Sequence, residues 1–239
     1  MDTGNLSLPF ARLGRTGAYF TKNRLAKSTQ ALLWYNYPQI MERLTIQVGS
    51  FEVNSSILSL DGKAWIVDPG DEAERIIALM EKRGLVPAGI LLTHAHFDHI
   101  GAIPELQKRF PELKVYVHQL DRPVLTHPLN RLPPTYPGIP EPKNLHETKE
   151  LDFCEVIETP GHTPGGVCYY FPSEKLLLSG DTLFAGSIGR TDLPGGSMST
   201  LLDSLKKLIV LPDETLVIPG HGPLTTIGAE KSANPYLSI

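Results

Sequence analysis

The segment THAHFDH at residues 93–99 places four side chains that can bind a metal ion close together in the chain. It follows an apolar run at residues 89–92, which is typical of a short buried strand, and it precedes a predicted helix. Side chains alternate along an extended segment, so the first two histidines point the same way. Two imidazoles suit one borderline metal ion, and a carboxylate with an imidazole suits a second. This density favours a metal site over a solvated turn, with candidate ligands His94, His96, Asp98 and His99.

Three further candidate ligands occur singly, each at the end of a predicted strand and beside a glycine. His162 lies in PGHTP, Asp181 in SGDT and His221 in PGHG. Glycine lets the backbone approach a site closely, and strand ends on a rigid scaffold can deliver ligands to one rim. Any one of the three alone is as easily a structural residue. Together with residues 93–99 they predict a single site for two metal ions.

The charge balance limits the classes of partner. The chain has 22 Lys and Arg against 26 Asp and Glu, so it lacks the basic excess that neutralises a phosphate backbone. The longest apolar runs fall far short of the roughly 20 residues that a membrane-spanning helix needs. Two cysteines, Cys154 and Cys168, are too few for a disulfide framework and lie among apolar neighbours. We expect buried thiols, no nucleic acid, no membrane span and a reducing, cytoplasmic location.

Apolar and alternating runs predict strands and helices in mixed order, which is typical of an α/β (α+β) fold with helices outside the sheets. Strands are predicted at residues 44–48, 55–60, 64–67, 89–92, 114–118, 155–158, 167–171, 175–179 and 215–218, and helices at 72–83, 100–109 and 199–210. Seven prolines between residues 123 and 142 exclude a regular element there. They predict a long loop that could act as a lid or a pocket wall.

Residues 1–40 differ from the rest of the chain. They hold five Lys and Arg but one acid, Asp2. An acid-poor basic leader can be a targeting segment, but an upstream extension is the simpler interpretation because Met41 opens a regular strand pattern. We therefore predict an N-terminal extension at residues 1–40 and one catalytic domain at residues 41–239.

The run H-x-H-x-D-H, followed by single His, Asp and His residues, resembles the signature of the metallo-β-lactamase superfamily over nearly all of residues 43–236. Two finer stretches, residues 180–196 and 219–228, resemble the glyoxalase II-like (hydroxyacylglutathione) hydrolases of that superfamily. The resemblance implies an αββα sandwich with the site at one edge. It departs from glyoxalase II proper because only 18 residues follow His221, so the helical glutathione-binding domain has no counterpart.

The resemblance also implies a division of the ligands between two divalent metal ions. The implied ligands are His94, His96 and His162 for the first metal, Asp98, His99 and His221 for the second, and Asp181 for both. Zinc is favoured, with iron or manganese as alternatives because a bridging carboxylate is a hard ligand. Asp68 would orient a ligand histidine, or cap a turn instead. Arg190 would contact the glutathione part of a substrate, or pair with Asp192 at the surface instead.

The implied reaction is hydrolysis of a thioester, such as S-lactoylglutathione or a related acyl thioester. A water shared by two metal ions is expected to ionise near neutral pH, with Asp98 and Asp181 as catalytic carboxylates. A thiolate leaves with little help from an acid, which suits a site with no obvious further acid. Antibiotic hydrolysis is not expected as the main role, since many β-lactamases of this fold lack a bridging aspartate at the position of Asp181.

Three other functions stay open at this point. An iron-dependent persulfide dioxygenase of the same fold would use one iron on His94, His162 and Asp181. A tRNA-processing nuclease would need a basic face or an added RNA-binding module, and the sequence offers neither. A metal-binding module without activity is disfavoured because all seven ligand positions are intact. The sequence does not predict an oligomeric state.

Overall fold

A two-residue turn at Asp61 and Gly62 sets the first part of the fold. Both residues have positive φ, 51° and 74°, as a tight hairpin turn requires. The computed structural model describes residues 41–134 and 136–237, so the predicted extension at residues 1–40 lies outside the described residues. The turn joins the second and third strands of a six-stranded sheet, whose strands lie side by side in chain order. These strands are β1 (Glu42–Val48), β2 (Val53–Leu60), β3 (Lys63–Val67), β4 (Val86–Leu91), β5 (Lys114–Tyr116) and β6 (Leu145–His146).

A second sheet has five strands in the order β13-β12-β9-β8-β7. Its strands β9 and β12 are parallel, and its other pairs are antiparallel. A separate short hairpin, β10 and β11, follows β9. The bounds are β7 (Glu155–Glu158), β8 (Val167–Phe171), β9 (Leu176–Gly180), β10 (Leu183–Phe184), β11 (Ser187–Ile188), β12 (Leu216–Pro219) and β13 (Thr225–Thr226).

Among the described residues, five helices cover the outer faces of the two sheets, and three apolar clusters separate the layers. The helices are α1 (Ala73–Lys82), α2 (Phe97–Ile100), α3 (Ile103–Arg109), α4 (Met198–Leu208) and α5 (Ile227–Ala233). One cluster joins the first sheet to α1 and α3, a second lies between the sheets, and a third joins the second sheet to α4 and α5. Strand β8 shows the alternation behind this: Tyr169 faces the other sheet, while Cys168 and Tyr170 face the helices. The predicted αββα sandwich is confirmed.

The structure differs from the prediction in short elements. The helix expected at residues 100–109 is two helices, α2 and α3, because Pro104 lacks an N–H and is tolerated only in the first turn of α3. The two-residue strands β6 and β13 and the helix α5 were not predicted. The proline-rich loop contains two short 3₁₀ turns, Arg122–Val124 and Pro128–Asn130. Within the described residues, no helix is long and apolar enough to cross a membrane.

Candidate metal centre

The seven predicted ligands meet at one edge of the sandwich, and both sheets contribute to them. The segment with His94 and His96 follows β4 of the first sheet, and it runs directly into α2. His162 lies between β7 and β8, Asp181 follows β9, and His221 follows β12, all in the second sheet. The structure therefore brings together every candidate ligand that the sequence predicts, and it places them between the layers.

The ligand atoms form three overlapping groups in which all atoms lie within 4.8 Å of one another. The groups are His94, His96 and His162; His94, His99 and Asp181; and Asp98, His99 and His221. The first and third groups match the division that the family resemblance implies. Asp181 lies between them, with Oδ1 3.4 Å from His99 Nε2 and Oδ2 3.5 Å from His162 Nε2.

The candidate ligand atoms are arranged as they would be around a cation, with the ring nitrogens of different histidines facing one another. His96 Nδ1 lies 2.9 Å from His162 Nε2, and His99 Nε2 lies 3.4 Å from His221 Nε2. His94 Nε2 and Asp181 Oδ1 are buried and have no hydrogen-bond partner within the described part of the chain. Nitrogen lone pairs and carboxylate oxygens turned toward one point are the ligands of a borderline metal ion.

Burial and mutual repulsion keep His94 and His96 neutral, which is the form that binds metal. The pKa of His94 lies well below its usual range because the ring is buried and because four other imidazoles surround it. Burial and the nearby His162 likewise lower the pKa of His96 to about 4. Burial opposes ionisation of Asp181, but His99, His162 and His221 together outweigh it and hold the pKa of that carboxyl well below its usual range.

Backbone carbonyls fix the orientation of two ligand rings. His162 Nδ1 donates to the carbonyl oxygen of Arg190 at 2.7 Å, and His221 Nδ1 donates to that of Phe51 at 2.8 Å. A carbonyl can only accept, so each Nδ1 carries the proton and each Nε2 keeps its lone pair toward the centre.

Asp68 lies beside two further candidate ligands, His99 and His94. Its Oδ2 is 3.0 Å from His99 Nδ1 and accepts a hydrogen bond from Thr93 Oγ1 at 2.6 Å. The same hydroxyl lies 3.1 Å from His94 Nδ1, so the carboxylate contacts His99 directly and His94 through Thr93. The backbone N–H of Thr93 donates to Asp68 Oδ1 at 2.8 Å, which fixes the position of the carboxylate.

Two residues that the sequence analysis missed hold the backbone of Ala95, between the first two ligands. Asp121, which is fully buried, accepts from Ala95 N and Thr163 Oγ1 with one oxygen and from Gly165 N with the other. Asn130 Nδ2 donates to Ala95 O at 2.7 Å. The position of Asp121 shortly after the parallel strand β5 is a signal that could have found it. Nothing in the proline-rich sequence points to Asn130.

Arg190 is the predicted site residue whose side chain the structure places elsewhere. Its guanidinium makes two hydrogen bonds of 2.8 Å to the carboxylate of Asp192, and both side chains are exposed. This is the surface pair that the sequence left open as the alternative. The backbone of Arg190 nevertheless contacts the centre, through the carbonyl that accepts from His162.

A glycine next to one ligand shows why the centre needs small residues. A Cβ atom added at Gly220 would overlap Asp181 Oδ1 and come within 2.9 Å of His99 Cε1. Asp181 is therefore in contact with the backbone that carries His221, and no larger residue fits there. The close backbone approach expected at the PGHG motif is confirmed at this position.

The family profile of the metallo-beta-lactamase superfamily matches residues 48–221. Among curated proteins, the probable metallo-hydrolase YqgX of Bacillus subtilis is 41% identical over 201 residues, which are 80% of this chain and 95% of YqgX. The hydroxyacylglutathione hydrolase GloC of Haemophilus influenzae is 37% identical over 205 residues, 81% of this chain and 96% of GloC.

Solved structures show the same relationship. The BLEG-1 B3 metallo-beta-lactamase is 41% identical with a TM-score of 0.76, covering 83% of this chain and all (100%) of that one. TTHA1623, crystallised in a di-iron-bound form, is 40% identical with a TM-score of 0.73, covering 81% of this chain and 100% of that one. With the αββα sandwich and the clustered His and Asp side chains at its edge, these matches show that the chain belongs to the metallo-beta-lactamase superfamily.

Proposed function

We propose that residues 41–239 form one catalytic domain that hydrolyses a thioester, S-lactoylglutathione or a related acyl thioester. The observation that carries the proposal is the position of Asp181, whose two oxygens lie within 3.5 Å of a nitrogen from each of the two ligand groups. A carboxylate in this position can bind two cations at once, one in each ligand group. The relative GloC, a hydroxyacylglutathione hydrolase by name, supports the substrate class.

The proposed ligands of the two cations are the two outer groups, with Asp181 shared between them. Two bound divalent ions, zinc in the first instance, would bring the pKa of a shared water to about 7 and polarise the carbonyl under attack. Asp98 Oδ2, 3.3 Å from His221 Nε2, lies at the edge of the centre, where it can accept a hydrogen bond from the attacking water. Asp68 keeps His99 oriented through the Nδ1 contact.

The chain's own nucleophiles do not compete with water in this reaction. Burial raises the pKa of Cys154 to about 12 and that of Cys168 to about 11, so both thiols stay protonated at neutral pH. A leaving thiolate needs little help from an acid. Arg190 can bind a glutathione carboxylate once its pair with Asp192 opens, because an ion pair between two exposed side chains is weak.

An iron-dependent persulfide dioxygenase is the second candidate. The observation that favours it is the structural match to ETHE1 from Myxococcus xanthus, a persulfide dioxygenase, which is 27% identical with a TM-score of 0.62 and covers 82% of this chain. One iron on His94, His162 and Asp181 would leave the group of Asp98, His99 and His221 without a role. In the structure that second group is oriented by Asp68 and by the Phe51 carbonyl, which favours the hydrolase.

The candidate functions are separated by measuring the number of metal ions per chain and the activity toward three substrates. The purified protein is assayed with S-lactoylglutathione, glutathione persulfide and a cephalosporin, the last because BLEG-1 is named a β-lactamase. We expect two metal ions per chain and thioester cleavage without oxygen uptake. Oxygen uptake with one iron per chain would replace the proposal with the dioxygenase. Faster turnover of the cephalosporin than of the thioester would replace it with a lactamase.

A substitution tests the metal assignment itself. His96→Ala removes one ligand of the first group, and we expect one metal ion per chain instead of two, with loss of thioester cleavage. The measurement is elemental analysis after gel filtration. The matched control is His146→Ala, which removes a partly exposed histidine that pairs with Glu150 outside the centre. Two metal ions in the His96→Ala protein would refute its assignment as a ligand.

A further inference from the structure

A short hairpin joins two parts of the metal centre. Its strands β10 and β11 lie between Asp181, which precedes β10, and Arg190, which follows β11. Asp181 lies between the two ligand groups, and the carbonyl of Arg190 accepts the hydrogen bond that orients His162. The position of this hairpin therefore affects the shared ligand and one ligand of the first group.

The two ends of the hairpin pack against each other beside the centre. Gly189 N donates to the carbonyl oxygen of Thr182 at 3.3 Å. A Cβ atom added at Gly189 would overlap the backbone carbonyl of Asp181 and lie 3.4 Å from His162 Cβ. Because these backbones are in such close contact, a displacement of the hairpin moves Asp181 and the segment of Arg190 together.

The hairpin is too short to fix its own position. It has two residue pairs, Leu183 with Ile188 and Phe184 with Ser187, and an isolated two-stranded hairpin is only marginally stable. Leu183 and Ile188 pack in the apolar cluster that joins the second sheet to α4 and α5. That packing anchors the base of the hairpin, and its tip must be held by other contacts.

Two buried polar side chains, one in helix α5 and one at its C-cap, hold the tip of the hairpin. These residues, Glu230 and Asn234, are 4% and 1% exposed. Glu230 Oε2 accepts from Gly186 N at 2.8 Å. Asn234 Nδ2 donates to the carbonyls of Ser187 at 3.0 Å and Phe184 at 3.4 Å. The N–H and the carbonyl groups of the turn thus both find their partners in α5 and its cap.

Glu230 and Asn234 are themselves fixed by further hydrogen bonds. Asn234 Nδ2 also donates to Glu230 Oε2 at 2.7 Å, and Asn234 Oδ1 accepts from Tyr236 N at 3.1 Å. Glu230 Oε1 accepts from Thr225 Oγ1 at 2.6 Å. Thr225 lies in β13, which pairs with β12, the strand that precedes His221. The pair therefore connects the hairpin to the part of the second sheet that carries a third candidate ligand.

We propose that Glu230 and Asn234 are positioning residues of the metal centre, an inference that rests on the proposed role of the centre in binding metal ions. By holding the hairpin tip, they set the positions of Asp181 and of the carbonyl that orients His162. Within the described residues, none of their side-chain hydrogen bonds is made to a candidate ligand. Residues that orient a ligand without binding the metal still change metal affinity by roughly 10- to 100-fold when they are replaced.

Metal binding by two variants tests the proposal. Asn234→Ala removes the donor to the tip carbonyls, and Glu230→Gln replaces one acceptor oxygen by an –NH₂ group at nearly constant size. For each we expect the affinity for cobalt(II), measured by competition with a chelator, to fall by roughly 10- to 100-fold. The visible absorption bands of the cobalt-loaded protein should also change, because they depend on the geometry of the ligands. Glu230→Gln keeps the shape of its side chain and carries the test if Asn234→Ala fails to fold. Unchanged affinity and spectrum in the folded variants overturn the proposal.

Two controls separate positioning from a general loss of stability. Ser232→Ala removes an exposed hydroxyl from the same helix. Ile76→Val removes a buried methyl group in α1, against the first sheet, and lowers stability there. Both should keep the cobalt affinity and the spectrum of the unchanged protein. A fall in affinity in Ile76→Val equal to that in Glu230→Gln would assign the effect to lost stability and overturn the proposal.

These measurements use no thioester, so they do not depend on the proposed reaction. A protein that binds metal but leaves S-lactoylglutathione intact would refute the thioester hydrolase and not the positioning role. A single metal ion per chain would likewise leave the test in force, because His162 and Asp181 are ligands in both the two-metal and the one-iron assignments.

Discussion

At the scale of single residues, Asp121 positions two segments of the centre, although no sequence motif marks it as part of the site. Burial raises the pKa of its carboxyl, while hydrogen bonds from Thr163, Gly165 and Ala95 oppose that rise. These three donors lie on the two segments that carry His96 and His162. One carboxylate therefore joins the segments that form the first ligand group, without contacting a ligand side chain.

Replacing this carboxylate tests its positioning role. In Asp121→Asn, an –NH₂ group replaces one carboxylate oxygen. It faces at least one of the three groups that donate to Asp121, and that hydrogen bond is lost because both groups are donors. We expect a loss of about 2 kcal/mol in the free energy of unfolding, from the unsatisfied buried groups. We also expect metal affinity at the first group to fall by roughly 10- to 100-fold. Urea unfolding and competition with a chelator measure the two effects.

The matched control for Asp121→Asn is Asp152→Asn, which changes an exposed carboxylate and should leave both quantities unchanged. A purely structural role for Asp121 would lower stability while leaving the metal affinity of the folded protein intact. That result would contradict the positioning role.

The seven candidate ligands could be predicted from the sequence because four of them are clustered in residues 93–99, and the other three stand at predicted strand ends beside a glycine. Asp68 was also predicted, through the family resemblance. Asp121 and Asn130 were missed because their role is to satisfy the backbone of Ala95, and that demand arises only when the segments pack together. The sequence left two roles open for Arg190, a substrate contact and a surface ion pair with Asp192. Asp192 is only two residues away, so the pair can form in almost any loop conformation.

At the scale of elements, the alternation along β8 explains how one strand serves two cores. Its period of two sends Tyr169 between the sheets and Cys168 toward α4. Runs of this kind made the long strands predictable. Strands β6 and β13 have two residues each, too few for any periodicity, so only pairing with a neighbour defines them.

Thiol reactivity tests the burial of Cys154 and Cys168. With pKa values of about 12 and 11 that result from burial, about one thiol in ten thousand and one in a thousand is ionised at pH 8. We expect almost no alkylation by iodoacetamide in the native protein and complete alkylation of both in guanidinium chloride. Mass spectrometry of the intact chain counts the adducts. Rapid labelling of Cys154 under native conditions would show that its side chain is not held as described.

At the scale of the whole molecule, the candidate ligands come from both layers of the sandwich. His94 and His96 follow β4 of the first sheet, and Asp181 and His221 follow β9 and β12 of the second. Metal ions held here would connect the two sheets at one edge. The αββα arrangement could be predicted only through the family resemblance, since the strand pattern alone gave a mixed sheet assembly without its layers.

Removal of metal should therefore lower the stability of the whole domain. A ligand that binds only the folded state at a hundredfold excess over its Kd stabilises by about 3 kcal/mol. For a chain of this size that corresponds to a fall in Tm of roughly 5–10 °C after chelation. Thermal unfolding with added zinc, and then with a chelator, measures the difference. Identical Tm values in both conditions would show that the folded protein gains nothing from metal.

The hydrogen bond between His221 and the Phe51 carbonyl predicts that the two proposed metal ions exchange at different rates. Phe51 lies in the turn between β1 and β2 and is 48% exposed. The side chain of His221, in the second group, is 26% exposed, whereas that of His162, in the first group, is 5% exposed. A displacement of the exposed hairpin tip would break the hydrogen bond that orients His221, and a water or a chelator would then replace His221 on the metal ion. The second metal should consequently exchange faster than the first, so that rapid mixing with a chelator gives two kinetic phases, and a single phase would show that the hairpin tip does not control exchange.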